Sequence, residues 1–436
     1  MVENSDDRSR RLLVLTFHFP PDGSVGGLRW AGMSKYLARL GWEVHVVTAS
    51  PQPGPSASNG VHVHYCPRAR TLNDLYKEWA QRVRSRDKHN DAAPARPPVA
   101  ARDAGLVQRL RANVAFGLAF PDYGRGWILR AARLARSLLN QWEFDAVVTS
   151  GPLHSAHLAG ALACVGRPGL LWVDMRDPWA ALIHKSWART QYDASVMRLL
   201  IPRLERFVLR RAKGIVTNTA PFAEMLRATY PALDVSYVPN GIDRERLPPS
   251  SMEKFDGVSI AYAGTLYAGR DLTAVLLAIS QFLARHPQAR GEIKLRVAGH
   301  MDAAHESRFH HDVREASLEG VVETLGAISR AEALALIDRS HLAVVLAQDQ
   351  PLQVPAKLYE CVGMGVPTLV ITESSSAAAS EAERVGAFAF EPRDSEGIRT
   401  LLEALWQNRI PARTSAGSAI GYDVIAVAMD RLLASQ

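Results

Sequence analysis

A lysine and a glutamate lie three residues apart in the segment VPAKLYE, as Lys357 and Glu360. On a helix this spacing puts both side chains on one face, just after a strand predicted at 341–347. A carboxylate there accepts hydrogen bonds from both hydroxyls of a ribose, and an ammonium group neutralises phosphate. The same spacing also fits an intrahelical salt bridge, which contributes only a few tenths of a kcal/mol. The segment is therefore a candidate nucleotide-binding site, and the alternative is a helix with an intrahelical salt bridge.

A loop rich in glycine and proline joins a strand predicted at 12–17 to a helix predicted at 28–40. Its Gly26 and Gly27 stand just before the helix. Adjacent glycines at a helix start let backbone N–H groups approach an anion, and the helix dipole favours negative charge there. The residues also fit a plain strand-to-helix turn, since GSVGG lacks the GxGxxG spacing of dinucleotide-binding folds.

A second loop of this kind spans residues 264–271 and contains Gly264, Thr265 and Arg270. Near a helix start, the guanidinium of Arg270 is suited to holding a pyrophosphate through two parallel hydrogen bonds. The alternative is a surface arginine paired with Asp271, and the local sequence alone favours it.

Two histidines, His154 and His157, lie three residues apart on a predicted helix, and metal ligands use such spacing. No third ligand accompanies them in the sequence, so a role in lining a cleft or filling the core is favoured and no metal site is predicted. Four further histidines are spread around a polar predicted helix and are interpreted as solvated surface: His300, His305, His310 and His311.

Predicted strands alternate with predicted helices twice along the chain. The strands are expected at 12–17, 43–49, 61–65, 146–150, 170–175, 215–218 and 235–239, and again at 259–263, 293–298, 341–347, 368–372 and 387–390. Such alternation indicates an α/β protein with two doubly wound parallel sheets, whose ligands lie at the carboxyl ends of strands.

Turn-forming residues mark the expected division of the chain into domains. The predicted segments are a disordered tail at 1–9, a first domain at 10–238, a linker at 239–257, a second domain at 258–415, and a C-terminal helix at 416–436 that packs back on the first domain. A Pro/Ala-rich stretch at 91–104 is expected to be mobile, within a basic helical excursion at about 68–140.

The composition is that of an ordinary globular protein, with 436 residues, 47% apolar and 22% charged. No long apolar stretch predicts a membrane span, and the N-terminal segment lacks the features of a secretory signal. Three scattered cysteines suit a reducing compartment. The expected location is cytoplasmic, with peripheral contact at the inner face of the cell membrane as an option.

The net charge of +7 is concentrated in one segment. Residues 66–140 contain fifteen Lys or Arg against six Asp or Glu. Such an excess suits an anionic membrane surface or a phosphorylated acceptor, and equally a solvated arginine-rich helical surface. No motif supports a nucleic-acid partner.

Five motifs, in this order, resemble glycosyltransferase family 4 over essentially the whole chain. They are the Pro20-Pro21 and Gly26-Gly27 loop, DMRDPW at 174–179, VPNGID at 238–243, the loop at Gly264, and VPAKLYECVGMGVP at 354–367. The resemblance, closest to members with a KLYE or KLFE donor helix, implies a GT-B fold of two Rossmann-like domains facing across a cleft. It also implies a nucleotide-diphospho-sugar donor and, usually, retention of anomeric configuration without metal or cofactor.

The resemblance also implies three sets of site residues. The catalytic set is Asp177, Arg176 and His154. The donor-binding set is Gly26, Gly27, Gly264, Thr265, Arg270, Ile328, Lys357, Leu358 and Glu360, with Glu360 on the ribose, Arg270 on the pyrophosphate and the backbone at Ile328 on the nucleobase. The acceptor-side set is Arg29, Asp174, Ser150 and Asp122.

The sequence departs from the family pattern at three positions. Leu352 stands at the first glutamate of the family's Glu-x7-Glu, Thr265 stands at an arginine, and Ser150 stands at a histidine. Members with a Lys-Leu-Tyr/Phe-Glu helix show similar losses, so activity is still expected.

The predicted function is transfer of a hexosyl group to a hydroxyl acceptor, which is lipid-linked or a small molecule. The pathway would be cell-surface polysaccharide, glycolipid or natural-product glycoside synthesis. Protein cations and helix N-termini would stabilise the leaving diphosphate, which itself takes the acceptor proton. The alternatives left open are a sugar-nucleotide epimerase or hydrolase, and a catalytically silent binding subunit.

Overall fold

The computed structural model of the chain describes residues 9–22, 24–51, 56–72, 74–75, 78, 120–180, 195–248, 253–266, 269–408 and 420–435. The chain divides into two compact units. The first consists of Met1–Thr217, Ala223–Val238 and Ala426–Gln436, and the second of Asn218–Phe222 and Pro239–Ile425. The predicted tail at 1–8 and the predicted mobile stretch at 91–104 lie outside the described residues.

The first unit is built on an eight-stranded sheet in the order β3-β4-β2-β1-β5-β6-β7-β8. Its strands are β1 (Arg10–Thr16), β2 (Trp42–Thr48), β3 (Ser56–Ser58), β4 (Val61–Tyr65), β5 (Ala146–Ser150), β6 (Leu171–Met175), β7 (Gly214–Thr217) and β8 (Val235–Tyr237). All neighbours are parallel except β3, which runs antiparallel to β4 at the edge. The edge strand β3 was not predicted, because three small residues carry no apolar pattern.

Helices α1 (Leu28–Arg39), α2 (Arg125–Gln141), α3 (Ser155–Ala163), α4 (Ser195–Leu209) and α5 (Ala220–Thr229) connect these strands. The C-terminal helix α12 (Tyr422–Ala434) brings Asp430 to the strand β2 side of the first unit. The Nε1 of Trp42 donates to Asp430 at 2.7 Å, and Arg10 forms an ion pair with it at 2.9 Å. Polar contacts therefore attach the end of α12 to the first sheet.

The second unit is built on a six-stranded, fully parallel sheet in the order β11-β10-β9-β12-β13-β14. Its strands are β9 (Val258–Ala263), β10 (Ile293–Ala298), β11 (Val322–Gly326), β12 (Leu342–Leu346), β13 (Thr368–Ile371) and β14 (Phe388–Phe390). Its helices are α6 (Thr273–Arg285), α7 (Ala303–Glu315), α8 (Arg330–Asp338), α9 (Ala356–Gly363), α10 (Ala377–Arg384) and α11 (Ser395–Trp406). Strand β11 was not predicted, because its residues are exposed or half-buried and form no apolar run.

Each sheet reverses its strand order at one place, between β1 and β5 in the first unit and between β9 and β12 in the second. The helices that leave neighbouring strands there turn to opposite faces, so a crevice opens at the carboxyl ends. The prediction of two doubly wound parallel-sheet domains is confirmed. These two points are where ligand-binding residues are expected.

Among the described helices, none is both long enough and apolar enough to cross a bilayer.

Candidate active site

The reversal point of the second sheet holds Lys357 against the end of strand β9. The Nζ of Lys357 donates to the carbonyl oxygen of Ala263. A Cβ added to Gly264 would lie 2.9 Å from Lys357 Nζ and 2.7 Å from Tyr262 Oη. Glycine at 264 therefore leaves the space that the lysine ammonium occupies.

Charges around Lys357 favour an anionic ligand. Burial is the largest influence on the pKa of Lys357 and lowers it. The negative charge of Glu360 opposes this effect, whereas Arg270 and Arg330 lower the pKa further. Because three cations act on one another here, a diphosphate would relieve their mutual repulsion.

Glu360 is 7% exposed, and its Oε1 lies 2.6 Å from Nη2 of Arg330. Arg330 is the first residue of α8, whose start is fixed by a capping box between Ser329 and Glu332. The spacing of Lys357 and Glu360 suggested a pair between these two residues, and no sequence pattern connected Glu360 with Arg330. The only local signal was the Ser-x-x-Glu pattern at 329–332, which predicts a helix start but no ligand.

The other predicted donor residues differ in exposure. Thr265 is exposed, and Arg270 is half-buried in a loop held by Gln348. The side-chain amide of Gln348 donates to the carbonyl oxygen of Asp271 at 3.0 Å and accepts from its backbone N–H at 3.2 Å. Ile328 is half-buried and packs on the hydrophobic core two residues before α8. Leu358 is fully buried in that core, so we assign its side chain to packing.

In the first unit, Asp174 at the end of β6 is completely buried and accepts four hydrogen bonds. Two come from Arg29 at 3.1 Å each, one from Trp30 Nε1 at 2.8 Å, and one from Ser150 Oγ at 2.8 Å. Burial is the largest influence on the pKa of Asp174 and raises it, but Arg29 and Arg176 outweigh this and lower the pKa. Because Arg29, Asp174 and Ser150 are all buried and both Arg29 and Ser150 donate to Asp174, we assign them a positioning role.

Arg176 holds the glycine loop beside this cluster. Its Nη1 donates to the carbonyl oxygen of Gly26 at 2.6 Å, and its Nε has no hydrogen-bond partner among the described residues. A Cβ on Gly26 would lie 2.9 Å from the ring of Pro152. The loop that carries the two glycines is thus attached to the carboxyl ends of β5 and β6.

The remaining predicted catalytic residues differ in burial. Asp177 is half-buried in the loop after β6. The ring of His154 is buried and stacks on Trp179, with centroids 4.5 Å apart and planes 3° apart. Burial, followed by the charge of His157, lowers the pKa of His154 well below its ordinary value, so its ring is neutral at physiological pH.

Asp122 caps helix α3. Its carboxylate accepts hydrogen bonds from Ser155 N at 2.9 Å, Ser155 Oγ at 2.5 Å and Gly124 N at 2.8 Å. Burial raises the pKa of Asp122 despite these bonds. In the structure this acidic side chain ties the loop at 122–124 to the helix.

A carboxylate, an imidazole and a phenol form a chain next to the glycine loop. Nδ1 of His18 lies 2.5 Å from Oδ2 of Asp22, and Nε2 of His18 lies 2.7 Å from Oη of Tyr123. An ionised carboxylate only accepts hydrogen bonds, so Nδ1 carries a hydrogen and Nε2 faces the phenol. Burial raises the pKa of Asp22, but bonds from His18 and Ser24 outweigh it and lower the pKa.

This hydrogen-bonded series of Asp22, His18 and Tyr123 was not predicted from the sequence. Its one local signal is a histidine and an aspartate four residues apart after a predicted strand, at His18 and Asp22. Tyr123 comes from a segment 105 positions away, which no local pattern connects to the loop. In this order a carboxylate orients an imidazole, and the imidazole can act as a general base on the hydroxyl.

Replacement of Gly27 by alanine tests the packing of this loop. Gly27 has a φ of −81°, so its backbone does not require glycine, but a Cβ would lie 2.9 Å from the backbone of both His18 and Phe19. We expect Gly27→Ala to destabilise the protein by about 1–3 kcal/mol, because backbone must move to make room. Urea unfolding measures the loss. Gly291→Ala is the control, since a Cβ at Gly291 has no neighbour within 4 Å, and an equal effect of both changes would contradict the argument.

Solved structures that match this protein cover nearly its whole chain. A sucrose-phosphate synthase from Thermosynechococcus elongatus matches with a TM-score of 0.62 at 13% identity, over 97% of this chain and 98% of that chain. HepE of Anabaena, in complex with UDP and glucose, matches with a TM-score of 0.61 at 14% identity, over 98% and 100%. The N-terminal domain of Candida albicans trehalose-6-phosphate phosphatase matches with a TM-score of 0.65 at 14% identity, over 98% and 97%. The chain therefore has the GT-B fold.

Part of the chain also matches a protein family by sequence. The sequence model of Glycosyltransferase Family 4 matches residues 92–246, which include the DMRDPW and VPNGID motifs. This match supports the predicted family. Comparison with curated proteins yields no match.

Proposed function

We propose that the chain is a family 4 glycosyltransferase that moves a hexosyl group from a nucleotide-diphospho-sugar to a hydroxyl acceptor. The observation that carries the proposal is the set of groups at the reversal point of the second sheet. There a buried carboxylate, Glu360, stands beside the cations Lys357, Arg270 and Arg330. The HepE structures, which share the fold, are complexes with UDP and glucose and with UDP-glucose, and this supports a donor of that class.

The donor groups have separate roles in this proposal. Glu360 accepts hydrogen bonds from the ribose hydroxyls, and Arg330 orients its carboxylate. Lys357 and Arg270 neutralise the diphosphate, while the backbone at Ile328 lies against the base. Because cations of the protein balance the charge of the leaving group, the transfer needs neither a metal ion nor a cofactor.

The acceptor groups belong to the first unit. We propose that the hydrogen-bonded residues Tyr123, His18 and Asp22 take up the proton that the acceptor hydroxyl loses. The acceptor hydroxyl would give its proton to the Tyr123 oxygen as the Tyr123 hydrogen moves to Nε2 of His18. Asp22 stabilises the imidazolium that forms.

The transfer itself breaks the bond between the anomeric carbon and the diphosphate oxygen, and the electron pair leaves with the diphosphate. The acceptor oxygen forms the new bond to the anomeric carbon as it loses its proton. We propose retention of configuration through attack on the face that the diphosphate leaves. The basic segment at 66–140 favours a lipid-linked acceptor at an anionic membrane surface, in polysaccharide or glycolipid synthesis.

Replacement of Glu360 by glutamine tests the donor site. The change should weaken binding of the preferred donor, chosen by thermal shift from a panel of nucleotide sugars, by about 10- to 100-fold, since a hydrogen bond to a charged group is worth about 1.5–3 kcal/mol. Calorimetric titration of donor into each purified variant gives the dissociation constants.

Glu381→Gln is a matched control for this test. Glu381 is 8% exposed in its side chain and pairs with Arg384 at 2.6 Å, whereas Glu360 is 10% exposed in its side chain and pairs with Arg330 at 2.6 Å. If loss of a buried ion pair were the only cause, donor binding would weaken equally in both variants. Equal donor binding by Glu360→Gln and wild type, or the absence of nucleoside diphosphate release with any donor and acceptor pair, would overturn the proposed function.

A further inference from the structure

Four ionisable side chains share one face of the neighbouring strands β2 and β4. Side chains alternate between the two faces of a strand, so Glu43 and His45 project from the same face of β2, and His62 and His64 from the same face of β4. The strands are parallel neighbours with His45 opposite His62. The sequence WEVHVV and VHVHY therefore places three imidazoles and a carboxylate together, with valines on the other face.

The distances between these groups suit a bound ion. Nε2 of His45 lies 3.2 Å from Oε1 of Glu43, and Nε2 of His62 lies 3.7 Å from the same oxygen. All three ligand atoms lie within 4.8 Å of one another. A tetrahedral zinc ion with bonds of about 2.0–2.2 Å needs ligand atoms about 3.4 Å apart. The separations exceed this value by at most about 1.4 Å, a difference that small movements of two side chains would remove.

Neighbouring groups orient the ligands, as they do in established metal sites. Nε of Arg11 bonds the other oxygen of Glu43 at 2.6 Å, which leaves Oε1 directed at the imidazoles. Nδ1 of His45 lies 3.0 Å from Nε2 of His64, and the ring of Trp142 packs edge-on against His45 at 4.5 Å. When His45 donates to His64 from Nδ1, its Nε2 lone pair points toward Glu43, and a cation between the two relieves that contact.

We propose that Glu43, His45 and His62 bind a divalent transition metal ion, zinc in preference to magnesium or calcium. Two imidazole nitrogens and one carboxylate oxygen form a donor set typical of zinc, whereas magnesium and calcium take oxygen ligands. The side chain of His62 is 35% exposed, so the ion has a path of entry, and water fills the fourth position.

The site stands apart from the glycosyl-transfer chemistry. Glu43 lies near the amino end of β2 and His45 at its middle, whereas Gly26 and Gly27 follow the carboxyl end of β1. The ion links two adjacent strands of the first unit. Because it binds only the folded chain, its measurable effect is on stability.

Calorimetric titration of chelator-treated full-length protein with zinc chloride tests the proposal. Wild type should bind one equivalent at micromolar or lower concentration, and magnesium chloride should give no binding. Glu43→Gln and His62→Ala should each weaken zinc binding about tenfold or more. His311→Ala, in an exposed histidine of α7, is the control and should bind zinc as wild type does.

Two further readouts keep the test decisive. Cobalt bound in place of zinc should give the visible absorption of a tetrahedral ion in wild type and lose it in His62→Ala. Zinc should raise the melting temperature of wild type more than that of either variant, and circular dichroism checks that the variants are folded. A wild-type protein that binds no zinc, or zinc binding that is equal in wild type and in both variants, would refute the site.

Discussion

Replacement of His18 by alanine is expected to lower the turnover number about 10²- to 10⁴-fold while the KM for the donor stays close to wild type. The imidazole is held between Asp22 at 2.5 Å and Tyr123 at 2.7 Å, so its loss removes the proton acceptor without touching the donor groups of the second unit. Steady-state kinetics with the preferred donor and a saturating acceptor measure both parameters.

A structural role for His18 would give a different result. If His18 acts on the proton, added imidazole should restore part of the activity of His18→Ala, and Tyr123→Phe should lower turnover in the same way. His311→Ala serves as the control, since this exposed histidine lies in the second unit. Unchanged turnover in His18→Ala would contradict this role and would indicate that the leaving diphosphate takes the proton of the acceptor hydroxyl.

Replacement of Asp174 by asparagine is expected to destabilise the first unit by about 3–5 kcal/mol. Asp174 is fully buried and pairs with Arg29, which is 1% exposed, so the variant removes the carboxylate of a buried ion pair. Urea unfolding, followed by tryptophan fluorescence, measures the loss.

A double-mutant cycle separates this effect from simple packing. Arg29→Met combined with Asp174→Asn should cost less than the two single changes added together, because both single changes remove the same buried ion pair. If the losses in the free energy of unfolding were additive, the two residues would not act as an ion pair. Asp177→Asn is the control in the same loop, and it should have a smaller effect because Asp177 is only half-buried.

Lowering the pH should destabilise the wild-type protein as the Asp174→Asn substitution does. The pKa of Asp174 is lowered in the folded state, so the native protein binds fewer protons than the unfolded chain, and stability falls as pH drops below the ordinary carboxyl value of 3.8. The stability of Asp174→Asn should depend less on pH in this acidic range. Unfolding titrations at several pH values test the difference.

The sequence by itself determined the position of several strands. An apolar run predicted β5 (Ala146–Ser150), which is buried throughout, and apolar residues at alternate positions mark β4 (Val61–Tyr65) and β10 (Ile293–Ala298); all three were predicted at their observed bounds. Strand β11 lacked this pattern and was missed, since its pairing with β10 depends on backbone hydrogen bonds rather than on burial of its side chains.

The sequence also located Lys357 and Glu360 on one helix after a strand, because their spacing is local. Only the tertiary structure decided that Glu360 pairs with Arg330, and that Tyr123 meets His18 across 105 positions. It likewise decided that Asp174 is a buried anchor, and that β2 and β4 align three histidines with Glu43. Helical and strand periods are properties of neighbours along the chain, whereas these contacts depend on which strand ends the sheet order brings together.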